Sequence, residues 1–187
     1  MKTIVKIIFF LTSLTSLSSI AQKQPTANRF EIEADPIAYI LNGYSFHAGY
    51  TLAHLRFDVG VFGIKQPKFA LANEQFSVRS SGFGVKADYL FRANKGFFLG
   101  LQSDYGMDRI GLKTSDARIV SKSIILGART GYRFMFGEKE DQYKGLYLVP
   151  WVALMHTLDP TIVMQNNQSY EQKKWSVFPT IHLGYRF

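Results

Sequence analysis

The feature of this 187-residue chain that most constrains its fold is a two-residue alternation of apolar and polar side chains. The segment WSVFPTIHLGYRF, residues 175–187, has an apolar residue at every second position, and the intervening positions are polar, charged or glycine apart from Phe178. The same alternation recurs in segments that begin at Tyr44, Leu55, Phe83, Phe97 and Ile124. Because successive side chains of a strand point to opposite faces, this pattern predicts two-faced β-strands.

Eight segments are predicted to be strands. Their predicted ranges are 29–41, 43–53, 55–65, 79–91, 96–110, 118–136, 145–158 and 175–187. Each has about ten residues or more, which is long enough for a tilted strand to cross a bilayer. Pro36 predicts a kink or a bulge in the first strand. The seventh strand is apolar on both faces, and we expect its outward face to consist of Tyr147, Val149, Trp151, Ala153 and Met155.

The connections between the predicted strands differ in length at the two ends of the sheet. Short turns are expected at 53–54, 92–95 and 137–144, after the second, fourth and sixth strands. Two connections at the other end are longer, 66–78 and 159–174. The connection between the first and second strands, at that same end, is predicted to be Asn42 alone. Short turns at one end and longer loops at the other are typical of transmembrane barrels.

The polar faces of the strands indicate which side of the sheet is enclosed. They carry many glycines, namely Gly49, Gly60, Gly84, Gly100, Gly106, Gly127, Gly131 and Gly184. A water-facing surface has no need of missing side chains, but a narrow eight-stranded lumen must fit small residues beside long basic ones. We therefore expect a lumen charge network, since buried charges must pair. Its predicted members are Glu31, Glu33, Asp35, Arg56, Asp58, Lys86, Asp88, Asp104, Arg129, Arg133 and Arg186.

Aromatic residues from distant segments recur near the predicted short turns. They are Tyr50, Tyr89, Phe91, Phe97, Tyr132, Phe134, Phe136, Tyr147, Tyr185 and Phe187. A ring of aromatic side chains at one interface is typical of barrels that span a membrane. The sequence thus predicts an all-β fold, a transmembrane antiparallel up-and-down β-barrel of eight strands.

The composition and the N-terminal residues bear on domains and location. Lys2 and Lys6 precede an apolar stretch that ends in Ser19-Ile20-Ala21, so residues 1–21 are expected to be a cleaved signal peptide. Residues 22–187 are expected to form a single barrel domain. With no cysteine, neither a disulfide nor a cysteine metal site is available.

These patterns together resemble small eight-stranded barrels of the bacterial outer membrane, of the OmpA/OmpX type. The resemblance implies export to the outer membrane of a Gram-negative cell. It also implies that the closing residues Tyr185 and Phe187 act as an insertion signal, read by the barrel-insertion machinery as a partner. The resemblance is based on the two-residue alternation and on this aromatic ending. Porin-like and other barrels with different roles share both features.

The sequence leaves three functional classes open: a structural or adhesion-type barrel with a closed lumen, a narrow pore, and a lipid-modifying enzyme. Ser45 and His47 share a face and are candidates for nucleophile and base. The base also needs a third orienting group, for which Glu31, Glu33 and Asp35 are available, and no catalytic residue is assigned. No metal or cofactor motif is found, so none is predicted.

The expected partners are outer-membrane lipids. Basic residues dominate the predicted outer rim, namely Lys65, Lys68, Arg79, Lys113, Arg118, Lys122, Lys173 and Lys174. Such a rim suits anionic headgroups such as the phosphates of lipopolysaccharide, or is ordinary solvated loop charge. The basic residues are dispersed, so no nucleic-acid partner is expected, and the protein is expected to be a monomer.

Overall fold

The computed structural model describes residues 29–187, so the expected signal peptide and its cleavage site lie outside the described residues. Ten strands are present: β1 (Arg29–Ala34), β2 (Tyr44–Leu52), β3 (Leu55–Lys65), β4 (Phe76–Arg92), β5 (Lys95–Leu112), β6 (Ile119–Met135), β7 (Gly145–Thr157), β8 (Ile162–Gln165), β9 (Gln168–Glu171) and β10 (Trp175–Arg186). The described residues also contain one short α-helix, α1 (Pro36–Ile40), and one 3₁₀ turn at Lys68–Ala70. Neither helix among these residues is long and apolar enough to cross a bilayer.

Eight of the strands close into an antiparallel barrel, which confirms the predicted fold class. The strand order is β1, β2, β3, β4, β5, β6, β7, β10, and β10 pairs back with β1. Closure places Ile32 opposite Tyr185 and extends to a hydrogen bond from the Phe187 amide to the Phe30 carbonyl, 3.0 Å long. We call the end that holds Phe187 and the short turns the turn end, and the opposite end the loop end.

The two faces of the barrel wall have inverted polarity compared with a water-soluble barrel. Leu101 and Val59, on the outer face, are 68% and 60% exposed. Arg129 and Asp58, on the inner face, are each 2% exposed. Burial of charge together with exposure of aliphatic side chains is unfavourable in water, so the outer face is suited to an apolar solvent.

Exposed aromatic rings gather at the turn end. Eight of those predicted are exposed there, namely Tyr50, Tyr89, Phe91, Phe97, Phe134, Phe136, Tyr185 and Phe187, and Phe30 joins them. Rings on neighbouring strands are in contact: the Phe97 and Tyr132 centroids are 4.8 Å apart, and those of Phe30 and Phe187 are 5.8 Å apart. The aromatic belt therefore continues across the strand pair that closes the barrel.

The first predicted strand is wrong in its length, because β1 ends at Ala34 and α1 follows it. Asp35 stops the strand by capping the helix: its Oδ1 accepts a hydrogen bond from the Ile37 amide, 2.8 Å long. Pro36 suits the first helical turn, where its missing N–H is not needed. The connection between β1 and β2 is therefore residues 35–43, not Asn42 alone.

The orientation predicted for the seventh strand is also wrong. Tyr147, Val149, Trp151, Ala153 and Met155 all face the lumen and are buried, whereas Leu146, Val152 and Leu154 are exposed on the outer face. The register explains this, because Leu148 pairs with the outward residue Leu183. Tyr147 is accordingly a lumen residue and not part of the aromatic belt.

The long last loop contains the hairpin β8–β9, which folds over the loop end of the barrel. Val163 and Tyr170 of the hairpin pack with lumen-facing residues of β4 and β5 in an apolar cluster that comprises Leu71, Phe76, Val78, Ile110 and Leu112. Burial, with Asp108 nearby, raises the pKa of Tyr170 to about 12. The hairpin thus forms a cap on the barrel mouth.

Glycines of the inner face make room for large side chains at particular positions. A β-carbon at Gly60 would collide with the His47 ring, and one at Gly184 would collide with the Tyr147 ring. A β-carbon at Gly106, on the same face, would meet nothing closer than 3.5 Å. Close packing against the lumen therefore requires glycine at the first two positions and not at the third.

We predict that Gly60→Ala lowers the free energy of unfolding by about 1–3 kcal/mol, because it overpacks the lumen against His47. Gly106→Ala is the matched control and should change stability little. Urea titration of each variant, refolded in detergent micelles and followed by tryptophan fluorescence, measures the difference. Equal stability of the two variants would contradict the packing described at Gly60.

Candidate functional site

The centre of the lumen at the turn end is built around the Glu31 carboxylate. Arg56 of β3, Arg133 of β6 and Arg186 of β10 all donate to it. The Arg56 Nε lies 2.8 Å from Glu31 Oε2, and the Arg133 Nη2 lies 3.0 Å from Oε1. Glu31 and the three arginines are each no more than 1% exposed. One carboxylate therefore joins β1 to three other strands across the lumen.

Glu33 lies two residues along β1 on the same face and forms a second centre. Its Oε1 accepts hydrogen bonds from the Arg56 guanidinium at 2.7 Å and from the Tyr147 hydroxyl at 3.0 Å. Its Oε2 lies 2.8 Å from Nδ1 of His182. Arg133 also reaches Glu33, at 3.4 Å. Arg56 and Arg133 thus bridge the two glutamates, which reduces the repulsion between the like charges.

A third group of charges lies on the β3–β4 side. Asp58 is 2.9 Å from Arg56, 3.2 Å from Lys86 Nζ and 3.0 Å from His47 Nδ1. Asp88 is 3.5 Å from Arg56. Arg56 therefore contacts four carboxylates and links all three groups into one network.

Arg129 is held mainly by aromatic rings. Its guanidinium carbon lies 4.2 Å from the Trp151 centroid and 5.1 Å from the Phe98 centroid, and its Nε is 3.7 Å from Asp88. Arg133 lies over the Tyr147 ring in the same way, at 4.5 Å. Cation–π contacts strengthen when both groups are shielded from water. The sequence does not mark Trp151 and Tyr147 as partners, because β7 has no polar face that would identify its inner side.

Two predicted members lie outside the ion-pair network. Asp35 caps α1 and accepts a hydrogen bond from the Thr180 hydroxyl, 2.7 Å long. Asp104 accepts one from the Gln102 side-chain amide, 2.8 Å long. The structure brings the other nine predicted residues together, with Tyr147, His47 and His182 added. The Arg186 guanidinium also donates to the Asn94 side chain at 2.9 Å and so reaches the β4–β5 turn.

The two residues considered for catalysis do not form a pair. Among residues 29–187, the buried Ser45 hydroxyl has no hydrogen-bond partner. Nδ1 of His47 is 3.0 Å from both Asp58 and Lys86. A nucleophile must lie within hydrogen-bond reach of its base, and this geometry lacks that contact. Likewise, the described residues contain no group of three or more His, Asp or Glu side chains placed to hold a metal ion.

The network neutralises buried charge and also occupies the lumen. Taking each charge out of water costs several kcal/mol, which only mutual pairing and hydrogen bonds can offset. The four carboxylates and their cations meet this need across the width of the barrel, because they link β1 to β3, β6, β7 and β10. The arrangement therefore both cross-links the wall and fills the lumen near the turn end.

Solved structures of two outer-membrane or surface proteins are similar to this chain. A major outer membrane protein from Thermus thermophilus superposes with a TM-score of 0.51 and 11% identity, covering 86% of this chain and all of that one. Neisserial surface protein A (NspA) is also similar, with a TM-score of 0.47 and 16% identity over 85% of this chain and 94% of that one. No protein-family model and no curated protein matches the sequence. The chain has the fold of the small eight-stranded outer-membrane β-barrels.

We predict that Glu31→Gln lowers the free energy of unfolding by about 3–5 kcal/mol, because it leaves three buried guanidinium groups without their shared carboxylate. Glu140→Gln makes the same chemical change at an exposed site in the β6–β7 turn and should have almost no effect. Denaturant unfolding of both variants in micelles gives the comparison. Similar stabilities would show that Glu31 does not organise the network.

Proposed function

We propose that this protein is an outer-membrane β-barrel of a Gram-negative bacterium with a structural and surface-interaction role, and that its lumen is closed. The observation that carries the proposal is the inverted polarity of the wall, with aliphatic side chains outside and an ion-pair network inside. Export by a signal peptide at residues 1–21 and the finer likeness to OmpA/OmpX-type barrels are parts of this proposal.

The closed lumen favours this role over that of a pore. An eight-stranded barrel has an interior only wide enough for side chains. Here that interior holds four arginines that are each no more than 2% exposed, together with their carboxylate partners. The cap formed by β8–β9 covers the opposite end. Ions would have to displace paired charges and pass an apolar cluster, which disfavours conduction.

The loop end supports the surface-interaction part of the proposal. Phe69 is 87% exposed, Met164 is 65% exposed and Ile162 is 63% exposed, all in the connections at the loop end. Exposed apolar side chains on loops carried by a rigid scaffold are common at binding surfaces. The barrel would thus anchor a capped surface, whose apolar residues are available to other molecules.

We predict that the folded protein is heat-modifiable. A closed barrel has no free strand edges and unfolds slowly, so it should stay compact in SDS until boiled. Gel electrophoresis of unheated and boiled samples should therefore give two positions. A protein that remains in solution without detergent, and runs at one position, would contradict the membrane role.

We also predict little steady conductance across planar lipid bilayers, because paired charges fill the lumen near the turn end. Deleting residues 160–173, which include the cap, should leave the conductance low, since the network lies beneath it. Large, stable currents through the wild-type protein would favour the narrow-pore alternative. Currents that appear only after the deletion would assign closure to the cap instead of the network.

A further inference from the structure

Four basic side chains lie close together on the outer face of the barrel near the loop end. The strand register places Lys65 of β3 opposite Arg79 of β4, and Arg79 opposite Arg109 of β5. Lys122 of β6 pairs with Met107, and so lies two residues nearer the turn end than the position opposite Arg109. All four side chains are exposed. With strands about 4.8 Å apart, Lys65 and Arg109 are separated by only about 10 Å at the backbone. We call these four residues the basic row.

The basic row lies where the apolar outer face ends, on the side of the loop end. On each of the four strands, every outward residue between the aromatic belt and this row is uncharged, and the first charged one toward the loop end is basic. A strand rises about 2.5 Å per residue along the barrel axis at the usual tilt. The stretch from Phe97 to Met107 therefore spans about 25 Å, the height of the apolar band of outer-membrane barrels. Arg109 follows at the interface.

No protein group in the described structure neutralises these charges. Among residues 29–187, no carboxylate oxygen lies within 4.0 Å of a basic-row nitrogen. Within residues 29–187, the one hydrogen bond made by a side chain of the row runs from Arg79 Nη1 to the Asn42 carbonyl, 3.4 Å long. Like charges directly opposite each other on neighbouring strands destabilise a sheet. An external anion would remove that repulsion between Arg79 and Arg109.

We propose that the basic row binds the phosphate groups of an anionic lipid in the outer leaflet. Guanidinium groups bind phosphate oxygens in pairs, and lysines add charge without fixed geometry. Directly below the row lies an apolar wall of exposed side chains, Val61, Phe83, Tyr105 and Ile124. A lipid whose phosphates contact the row would lay its acyl chains against this wall. A soluble anion would gain nothing from the wall, which is why the geometry favours a lipid.

The charge distribution limits this site to one side of the barrel. On the outer face at the loop end, the corresponding residues are Tyr44 on β2, His156 on β7 and Trp175 on β10. None of these three is a lysine or an arginine. The proposal is therefore a local lipid site on β3–β6, not a general ring of charge. It rests on the proposed outer-membrane role, because the apolar wall must face lipid.

The test compares Arg79→Gln/Arg109→Gln with Lys139→Gln/Lys144→Gln, which removes two charges from the β6–β7 turn at the opposite end. Each folded protein in detergent is titrated with lipid A that carries two phosphates, with the same lipid after phosphate removal, and with inorganic phosphate. Native mass spectrometry measures the bound fraction. We expect the arginine variant to bind phosphorylated lipid A roughly 25-fold more weakly, about fivefold for each cation removed. The control variant should bind like the wild type.

Three outcomes would overturn the proposal: equal affinity of the arginine variant and the wild type, equal binding of the lipid without phosphates, or equally tight binding of inorganic phosphate. The last would assign the row to a soluble anion. Two positions for the unheated and boiled arginine variant on a gel would show that it still folds as a barrel. Failure of the lipid site is then distinct from failure of the proposed membrane role, which would affect heat-modifiability itself.

Discussion

The barrel depends on how two carboxylates are neutralised inside it. Glu31 and Glu33 come from β1, the shortest strand of the wall, and arginines from β3, β6 and β10 converge on them. A charge left unpaired in this interior would cost several kcal/mol, so the glutamates and the arginines must be buried together. Since β1 is also the strand that closes the barrel against β10, the network reinforces the wall where the fewest residues are paired.

The same requirement determines what surrounds the charges. Arginine side chains that cross the lumen need space, and glycines such as Gly49 provide it: a β-carbon there would lie 2.6 Å from an Arg56 nitrogen. Where carboxylates are lacking, aromatic faces substitute for them, as Trp151 does under Arg129. Glycines therefore provide space in the narrow lumen, and ion pairs and aromatic rings together stabilise the charges buried there.

In the proposed role, the functional surfaces lie outside that interior. The network near the turn end and the cap at the loop end close the barrel from both sides, which leaves the apolar wall, the basic row and the exposed loop residues as the places for interaction. The basic row differs from the lumen arginines in one respect that matters. Arg133 has carboxylate partners within the chain, whereas the described structure offers Arg79 and Arg109 none. A charge that the protein itself does not neutralise points to a partner at the membrane surface.

The sequence by itself determined the strands with strict alternation, because one residue of shift would move a whole apolar set to the wrong face. β3 begins and ends at the predicted residues. It also indicated which charges of β3, β4, β6 and β10 face inward, since each of them shares its polar face with a glycine. Only tertiary structure decided the orientation of β7, which is apolar on both sides, so that contacts with Arg129 and Glu33 select the lumen face. Capping by Asp35, folding of the hairpin β8–β9 over the mouth, and assembly of the basic row were also beyond the sequence. Each depends on which strands become neighbours and in what register, and no local pattern encodes that pairing.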